Sequence, residues 1–290
     1  MDSGLSVLVT GAEGQVGRHL VRAAQASGDR VVGLGRRELD LTDPGGVESA
    51  ISRYRPDVVV NAAAYTAVDR AEGEPERAYA VNRDGAAALA RACDANGCAL
   101  VHLSTDYVFD GTKGAPYTER DPVAPLGVYG ASKTAGEAAI REALERHAIL
   151  RTAWVFSAHP PNFVQTILRL ASERDTLDVV DDQWGHPTWA GDVAAASLTL
   201  ARQLVAGRVP GTVHYGSRPL TTWYGLASAV VEAADLPTRV RPVSTAAFPR
   251  PAPRPPRVEL DLSRASEVLG LPIPNWRDRV REVVGGRRAL

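Results

Sequence analysis

Val7-Leu-Val9, followed almost at once by Gly11-Ala-Glu-Gly-Gln-Val-Gly17, is the stretch on which the fold turns. A short β-branched run gives way to three glycines spaced three apart, and apolar residues then recur at helical spacing. Glycine at these places permits a tight turn, close approach of the backbone to a ligand, and close packing of the helix that follows. The amino terminus of that helix presents unpaired N–H groups to an anion. The stretch therefore predicts a strand, a phosphate-binding turn and a helix. Gly11, Gly14, Gln15, Val16 and Gly17 are the expected contacts of a dinucleotide pyrophosphate.

Working outward, the same rhythm repeats. Val31-Val-Gly-Leu34, Val58-Val-Val60 and Ala99-Leu-Val-His-Leu103 are continuous apolar runs, as strands buried on both faces require. Between them, residues 15–27, 44–54 and 74–96 carry helical spacing and end on turn residues. The pattern predicts an α/β fold, a Rossmann-type doubly wound parallel sheet. Beyond it, helical patterns at 162–173, 192–205, 222–234 and 275–284, a strand near 212–216 and a concentration of Pro and Trp indicate a smaller carboxyl-terminal α/β lobe. At about 150 residues per domain, 290 residues suit two domains or one large α/β domain with an appended lobe. Residues 1–154 plus about 189–215 are read as the dinucleotide-binding domain, and about 155–188 plus 216–290 as the substrate lobe. Residues 248–257, dense in Pro and Arg, are predicted to run extended across the surface.

Composition narrows the partners. With 33 Lys+Arg against 34 Asp+Glu, the broad basic field of a nucleic-acid or acidic-membrane binder is missing. No apolar run approaches the roughly 18–20 residues of a membrane span, and the first residues lack the basic and apolar regions of a signal peptide, so a cytoplasmic location is expected. Cys93 and Cys98 have the wrong spacing for a redox pair or zinc site and read as buried thiols. All but two of the basic residues are arginine. The exceptions are Lys113 and Lys133, and lysine's compact charge and movable pKa are properties a guanidinium lacks.

At the end of the second strand, where an acidic residue would hold the ribose 2′-hydroxyl of NAD, stands Gly35-Arg-Arg37. Arg36 and Arg37 can grip a 2′-phosphate, which favours NADPH and leaves NADH as the alternative; exposed surface arginines are the competing reading. Asp40 and Leu41 are placed to approach the adenine. Ala62, Ala63 and Ala64, in Asn61-Ala-Ala-Ala64, leave room for the nicotinamide ribose.

Tyr129-Gly-Ala-Ser-Lys133 sets a phenol and an ammonium one helical turn apart on one face. The lysine can stabilise phenolate and hold a ribose, so the tyrosine can pass a proton to a developing alkoxide. Leu103-Ser-Thr-Asp-Tyr107 ends the fourth strand, where an open α/β sheet presents its ligand-facing groups, and Thr105 there offers a hydroxyl to a carbonyl oxygen or to the phenol.

The glycine spacing is that of the short-chain dehydrogenase/reductase group. More specifically, the chain resembles the dTDP-4-dehydrorhamnose reductase family over nearly its whole length. The resemblance is carried by the glycine turn, Asn61-Ala-Ala-Ala-Tyr-Thr-Ala-Val-Asp69, Leu103-Ser-Thr-Asp-Tyr-Val-Phe-Asp-Gly111, Pro125-Leu-Gly-Val-Tyr-Gly-Ala-Ser-Lys133, Arg151-Thr-Ala-Trp-Val-Phe156 and Asp182-Gln-Trp-Gly-His-Pro-Thr188. It implies Tyr129 as proton donor, Lys133 as its partner and ribose anchor, and Thr105 as the residue tuning the reacting oxygen. It also implies a dTDP-linked 4-keto-6-deoxy sugar as substrate, touched by Thr105, Asp106 and Trp154. Asn162 and Gln183 are weaker candidates for the same ligand and could equally cap loops. An indole at Trp154 suits the apolar face of a deoxyhexose.

Two departures stand out. The family's carboxyl-terminal Arg-Pro-x-x-Ser-x-Leu appears here as Arg254-Pro-Pro-Arg-Val-Glu-Leu260, with Val258 in place of serine, while Arg254 stays available to neutralise a pyrophosphate. The first helix begins Gln15-Val-Gly-Arg-His19, without the acidic residues some members use for magnesium, so no metal is expected. The readings left open are dTDP-L-rhamnose formation, a sister reductase such as one forming dTDP-dihydrostreptose, and a non-catalytic nucleotide-binding subunit, with a homodimer as the expected self-association.

Overall fold

A computed structural model describes residues 4–288. Six strands, β1 (Ser6–Thr10), β2 (Arg30–Leu34), β3 (Val58–Asn61), β4 (Ala99–Thr105), β5 (His147–Thr152) and β6 (Gly211–His214), pair in parallel in the order β2-β1-β3-β4-β5-β6. The chain leaves β1 for β2 on one side and returns to β3 on the other. That reversal opens a crevice at the carboxyl ends of β1 and β3, where such sheets bind ligands.

The valines form strands because the sheet is covered twice. Val7, Val9, Val58, Val60 and Val101 face helices Gln15–Ala26 and Ala190–Val205, while the alternating Leu8, Val59 and Leu100 face helices Pro44–Tyr54 and Gly85–Asn96. One continuous apolar run thus feeds two cores through the two-residue period of the strand. Cys93 and Cys98 are buried free thiols beside the second of these cores.

The long helix expected over 74–96 is interrupted. It runs as Pro75–Tyr79, one π-helical turn at Ala80–Asp84, then Gly85–Asn96. The π turn seats Asn82, whose Oδ1 accepts from Tyr65 N (2.8 Å) and whose Nδ2 donates to Ser132 Oγ (3.0 Å). Helical spacing carries no trace of such a tertiary anchor.

A third core gathers Phe156, Leu177, Val230 and Trp276 among helices Phe163–Glu173, Trp223–Ala234 and Trp276–Arg288. A parallel pair, Thr176–Val180 with Arg239–Val243, accompanies it and was not legible in the sequence. Helix Ser263–Leu269, expected in this lobe, instead lays Ala265 and Leu269 on the sheet core. The proline-rich segment continues into a strap: Val258 N donates to Trp184 O (3.1 Å), and Val258 and Leu260 are buried with Val108, Phe109 and Tyr117. The family's serine position is thus filled by a side chain doing apolar packing. Among the described residues, no helix is long and apolar enough to cross a membrane.

Candidate active site

The glycine turn closes the crevice at β1. Gly11 has φ +66°, and a Cβ there would lie 2.7 Å from Ala63 N and 2.8 Å from the Ala62 carbonyl. Only glycine brings the turn into backbone contact with the end of β3. A Cβ at Gly17 would overlap Gly11 O, so the helix sits directly on the turn, whereas Gly14 is exposed and its Cβ would meet only Gly11 O at 3.2 Å. Helix Gln15–Ala26 has no side-chain cap and no acidic residue in its first turn. Its first N–H groups lack intrahelical partners, so this end suits a phosphate.

Several predicted cofactor residues serve differently from one another. Arg36 and Arg37 are exposed beyond β2, and among the described residues neither makes a hydrogen bond or ion pair. Asp40 accepts from Thr42 N (3.0 Å) and Thr42 Oγ1 (2.8 Å), which hold its carboxyl below the usual range. Ala62, Ala63 and Ala64 are half-buried at the crevice. Leu41 and Val16, by contrast, send their side chains into the two sheet cores, leaving only backbone for a ligand. Gln15 Oε1 accepts from Ser157 Oγ and Asn162 Nδ2 (both 2.9 Å), tying the turn to the far lobe.

Tyr129 and Lys133 lie on helix Val128–Ala143, which is held by its glycines and by a borrowed cap. Glu72 Oε1 accepts from Val128 N (2.8 Å), and Cβ atoms at Gly130 and Gly136 would overlap Tyr107 O and Asn82 O. The helix is therefore pressed against the turn that follows β4, where Thr105 and Asp106 sit. Burial pushes the Tyr129 phenol up to about 12, against a hydrogen bond with Thr105 that pulls it down and the Asp106 charge that adds to the rise. Burial also pushes Asp106 up to about 7; Thr105 Oγ1 donates to its Oδ1 (3.1 Å). The Lys133 ammonium, 2 % exposed, is pulled down to about 8 by burial, with Glu137 acting the other way. Its Nζ donates to Leu103 O (2.6 Å) and lies 3.0 Å from His102 Nε2. Thr105 and Tyr129 thus meet at the end of β4, while Lys133, one turn along the same helix, is anchored to Leu103 O and His102 of that strand.

The model of the RmlD substrate binding domain family matches residues 5–288. The chain belongs to this family. It is 47 % identical to a dTDP-4-dehydrorhamnose reductase of Streptomyces griseus over 279 residues, 95 % of this chain and 91 % of that protein. Solved structures agree. A dTDP-4-dehydrorhamnose reductase from Clostridium acetobutylicum superposes with a TM-score of 0.93 at 33 % identity, covering 97 % of this chain and 99 % of that one. One from Bacillus anthracis, in complex with NADP, gives 0.91 at 33 % identity, covering 98 % and 99 %.

In this RmlD-family chain the substrate-side candidates divide. Thr105 and Asp106 adjoin Tyr129. Trp154, at φ +45°, stacks on Trp223 with ring centroids 3.6 Å apart and planes 8° from parallel, and Gly185 lies so close that a Cβ would press on the same indole. A sugar laid flat on this ring would have to displace one of these neighbours. Asn162 caps helix Phe163–Glu173 through Gln165 N (3.0 Å). Gln183 joins Thr245 Oγ1 (2.9 Å) to Trp223 Nε1 (3.2 Å), so both ends of its amide serve the lobe.

Arg254 is already committed: its guanidinium donates to Asp69 Oδ1 (2.6 Å) and holds that carboxyl below the usual range. The free cation expected at the pyrophosphate is instead half of a clasp between the strap and the sheet domain. Lys113 likewise staples its own loop, with Nζ on Pro116 O (2.8 Å) and Asp121 (2.5 Å). Sequence reasoning missed Asn61, Asn82, His102 and Glu137. Each is a polar residue inside an apolar pattern, and that was the only signal they offered. Among the described residues, no group of three or more His, Cys, Asp or Glu side chains could hold a metal.

Proposed function

We propose that the protein is an NADPH-preferring reductase, acting in the cytoplasm, that reduces the C4 keto group of dTDP-4-dehydro-6-deoxy-L-mannose to the alcohol of dTDP-L-rhamnose. The observation that carries the reading is the contact of Thr105 with Tyr129, with Lys133 one turn along the same helix, in a sheet whose first helix begins uncapped and acid-free, in a chain so similar to reductases of that name. On this reading residues 1–154 and 189–215 take the cofactor, and the lobe of 155–188 and 216–290, less its 263–269 helix, closes over the sugar nucleotide.

The residues fit a dinucleotide. Gly11 and Gly17 leave out Cβ atoms whose space the backbone already fills, the first N–H groups of the helix would hold the pyrophosphate, and Arg36 and Arg37 are exposed where they would hold a 2′-phosphate. NADPH, when bound, supplies the hydride that reduces C4. Tyr129, with its phenol held near 12, is protonated at pH 7, the state from which a proton donor starts. It passes that proton to the oxygen on C4. Thr105 turns its hydroxyl proton from Asp106 to the phenolate left behind, and a positive charge on Lys133, one helical turn along, favours that phenolate.

The test is NADPH consumption with dTDP-4-dehydrorhamnose, with the product identified by mass spectrometry. Conversion by the native protein and its loss in Tyr129→Phe are expected. No turnover, full activity in the variant, or a clear preference for another dTDP-keto sugar would overturn the assignment.

A further inference from the structure

Strand register places Thr10, Asn61 and His102 side by side at the ligand end of β1, β3 and β4. Their side chains form a buried row that ends on Lys133. Thr10 Oγ1 donates to Asn61 Oδ1 (2.6 Å), and the same oxygen accepts from Ala63 N (3.1 Å). A backbone N–H can only donate, so the amide of Asn61 has one permitted orientation, with Nδ2 toward His102 Nδ1 at 2.9 Å. Nδ1 must then be the acceptor nitrogen. His102 is 1 % exposed, and burial holds its pKa well below the ordinary value, so the ring is neutral and its one proton sits on Nε2. That N–H points at Lys133 Nζ, 3.0 Å away. An ammonium there would set N–H against N–H, whereas an amine accepts the bond through its lone pair and still donates to Leu103 O.

From this row we infer that His102 is a positioning residue whose Asn61-fixed tautomer favours the neutral amine of Lys133 over its ammonium in the cofactor-free protein, so that in alkaline solution cofactor binding is coupled to uptake of a proton at Lys133. The other ionisable groups around the pair leave this assignment in place. Glu137, on the same helix, favours the ammonium but is engaged by Arg151, Arg141 and Ser104; on β5, His147 opposes charge on His102; Tyr129 is a neutral phenol. A ribose hydroxyl at Nζ and the anionic charge of a bound cofactor would favour the charged form, the cation that the phenolate needs. Because binding draws in the proton, cofactor affinity falls as pH rises above about 8, the free-state value of Lys133.

The inference rests on the reading of this site as a nicotinamide-cofactor site, and two measurements separate the claims. Nitrogen-15 NMR of the histidine rings in the cofactor-free protein reports the tautomer directly. Expected for His102 is a pyridine-type Nδ1 with a protonated Nε2; the reverse tautomer overturns the inference whatever the protein binds. Calorimetric titration with NADPH in buffers of differing ionisation enthalpy counts protons. Uptake approaching one proton at pH 9, reduced at least twofold in His102→Gln, whose amide oxygen accepts from the ammonium, is the expected result. Binding without uptake, or equal uptake in the variant, refutes the coupling, whereas failure of the native protein to bind NADPH would refute the cofactor reading itself.

Discussion

Glu137→Gln removes a buried carboxylate from the helix that carries Tyr129 and Lys133. Glu137 is fully buried and takes two hydrogen bonds from Arg151 (2.9 and 2.7 Å), one from Ser104 (2.6 Å) and one from Arg141 (2.9 Å). Arg151 is only 3 % exposed, so without the carboxylate its charge is stranded in the core. Breaking a buried pair in this way costs about 3–5 kcal/mol. With an unfolding entropy of about 2.1 cal/mol/K per residue, the chain should lose roughly 5–8 °C in Tm. Burial, which raises the carboxyl, is outweighed by the Arg151 hydrogen bonds and charge, so the folded pKa lies below 4.5. The pair's contribution is therefore full above about pH 4.5 and lost as pH falls through that lowered value, and the native and variant proteins should converge there. Calorimetry and guanidinium unfolding measure the loss, and Glu137→Gln/Arg151→Met supplies the control. Removing both charges should recover at least half of it. A single variant within about 1 kcal/mol of native, or a double variant as unstable as the sum of its singles, would refute the argument.

Other outcomes follow from the same geometry. Arg36→Ala/Arg37→Ala should lose about 1.5–3 kcal/mol of NADPH recognition, roughly 10- to 150-fold in kcat/KM, with NADH unaffected; equal loss for both cofactors would remove the arginines from the 2′-phosphate. Thr105→Val should lower kcat by about 100-fold or more at unchanged NADPH affinity, measured by stopped-flow and titration. Gly17→Ala, whose Cβ overlaps Gly11 O, should lose about 1–3 kcal/mol of stability as well as cofactor binding, whereas Gly14→Ala should fold normally and lose only the binding. Asp69→Asn frees Arg254 from its clasp and should raise KM for the dTDP-sugar while leaving the Kd of NADPH unchanged; an unchanged KM would show the clasp to be irrelevant to the substrate.

What the amino-acid sequence determined by itself is local. Glycines three apart after a β-branched run specify a turn and a helix start, and a tyrosine and lysine four apart share a helical face, because backbone dihedrals and the 3.6-residue period are properties of neighbours in the chain. Fold class, the glycine turn and the shared helix of Tyr129 and Lys133 were readable on that basis. Tertiary structure decided the rest. Thr10, Asn61 and His102 form one row only because register aligns three strands, and Glu137 meets Arg151 only because a helix lies across β5. Trp154 finds Trp223, and Arg254 finds Asp69, across 69 and 185 positions of chain. The π turn at Asn82 interrupts a helix whose apolar spacing reads as continuous. Such pairings follow from how strands align and layers pack, and no local period encodes them.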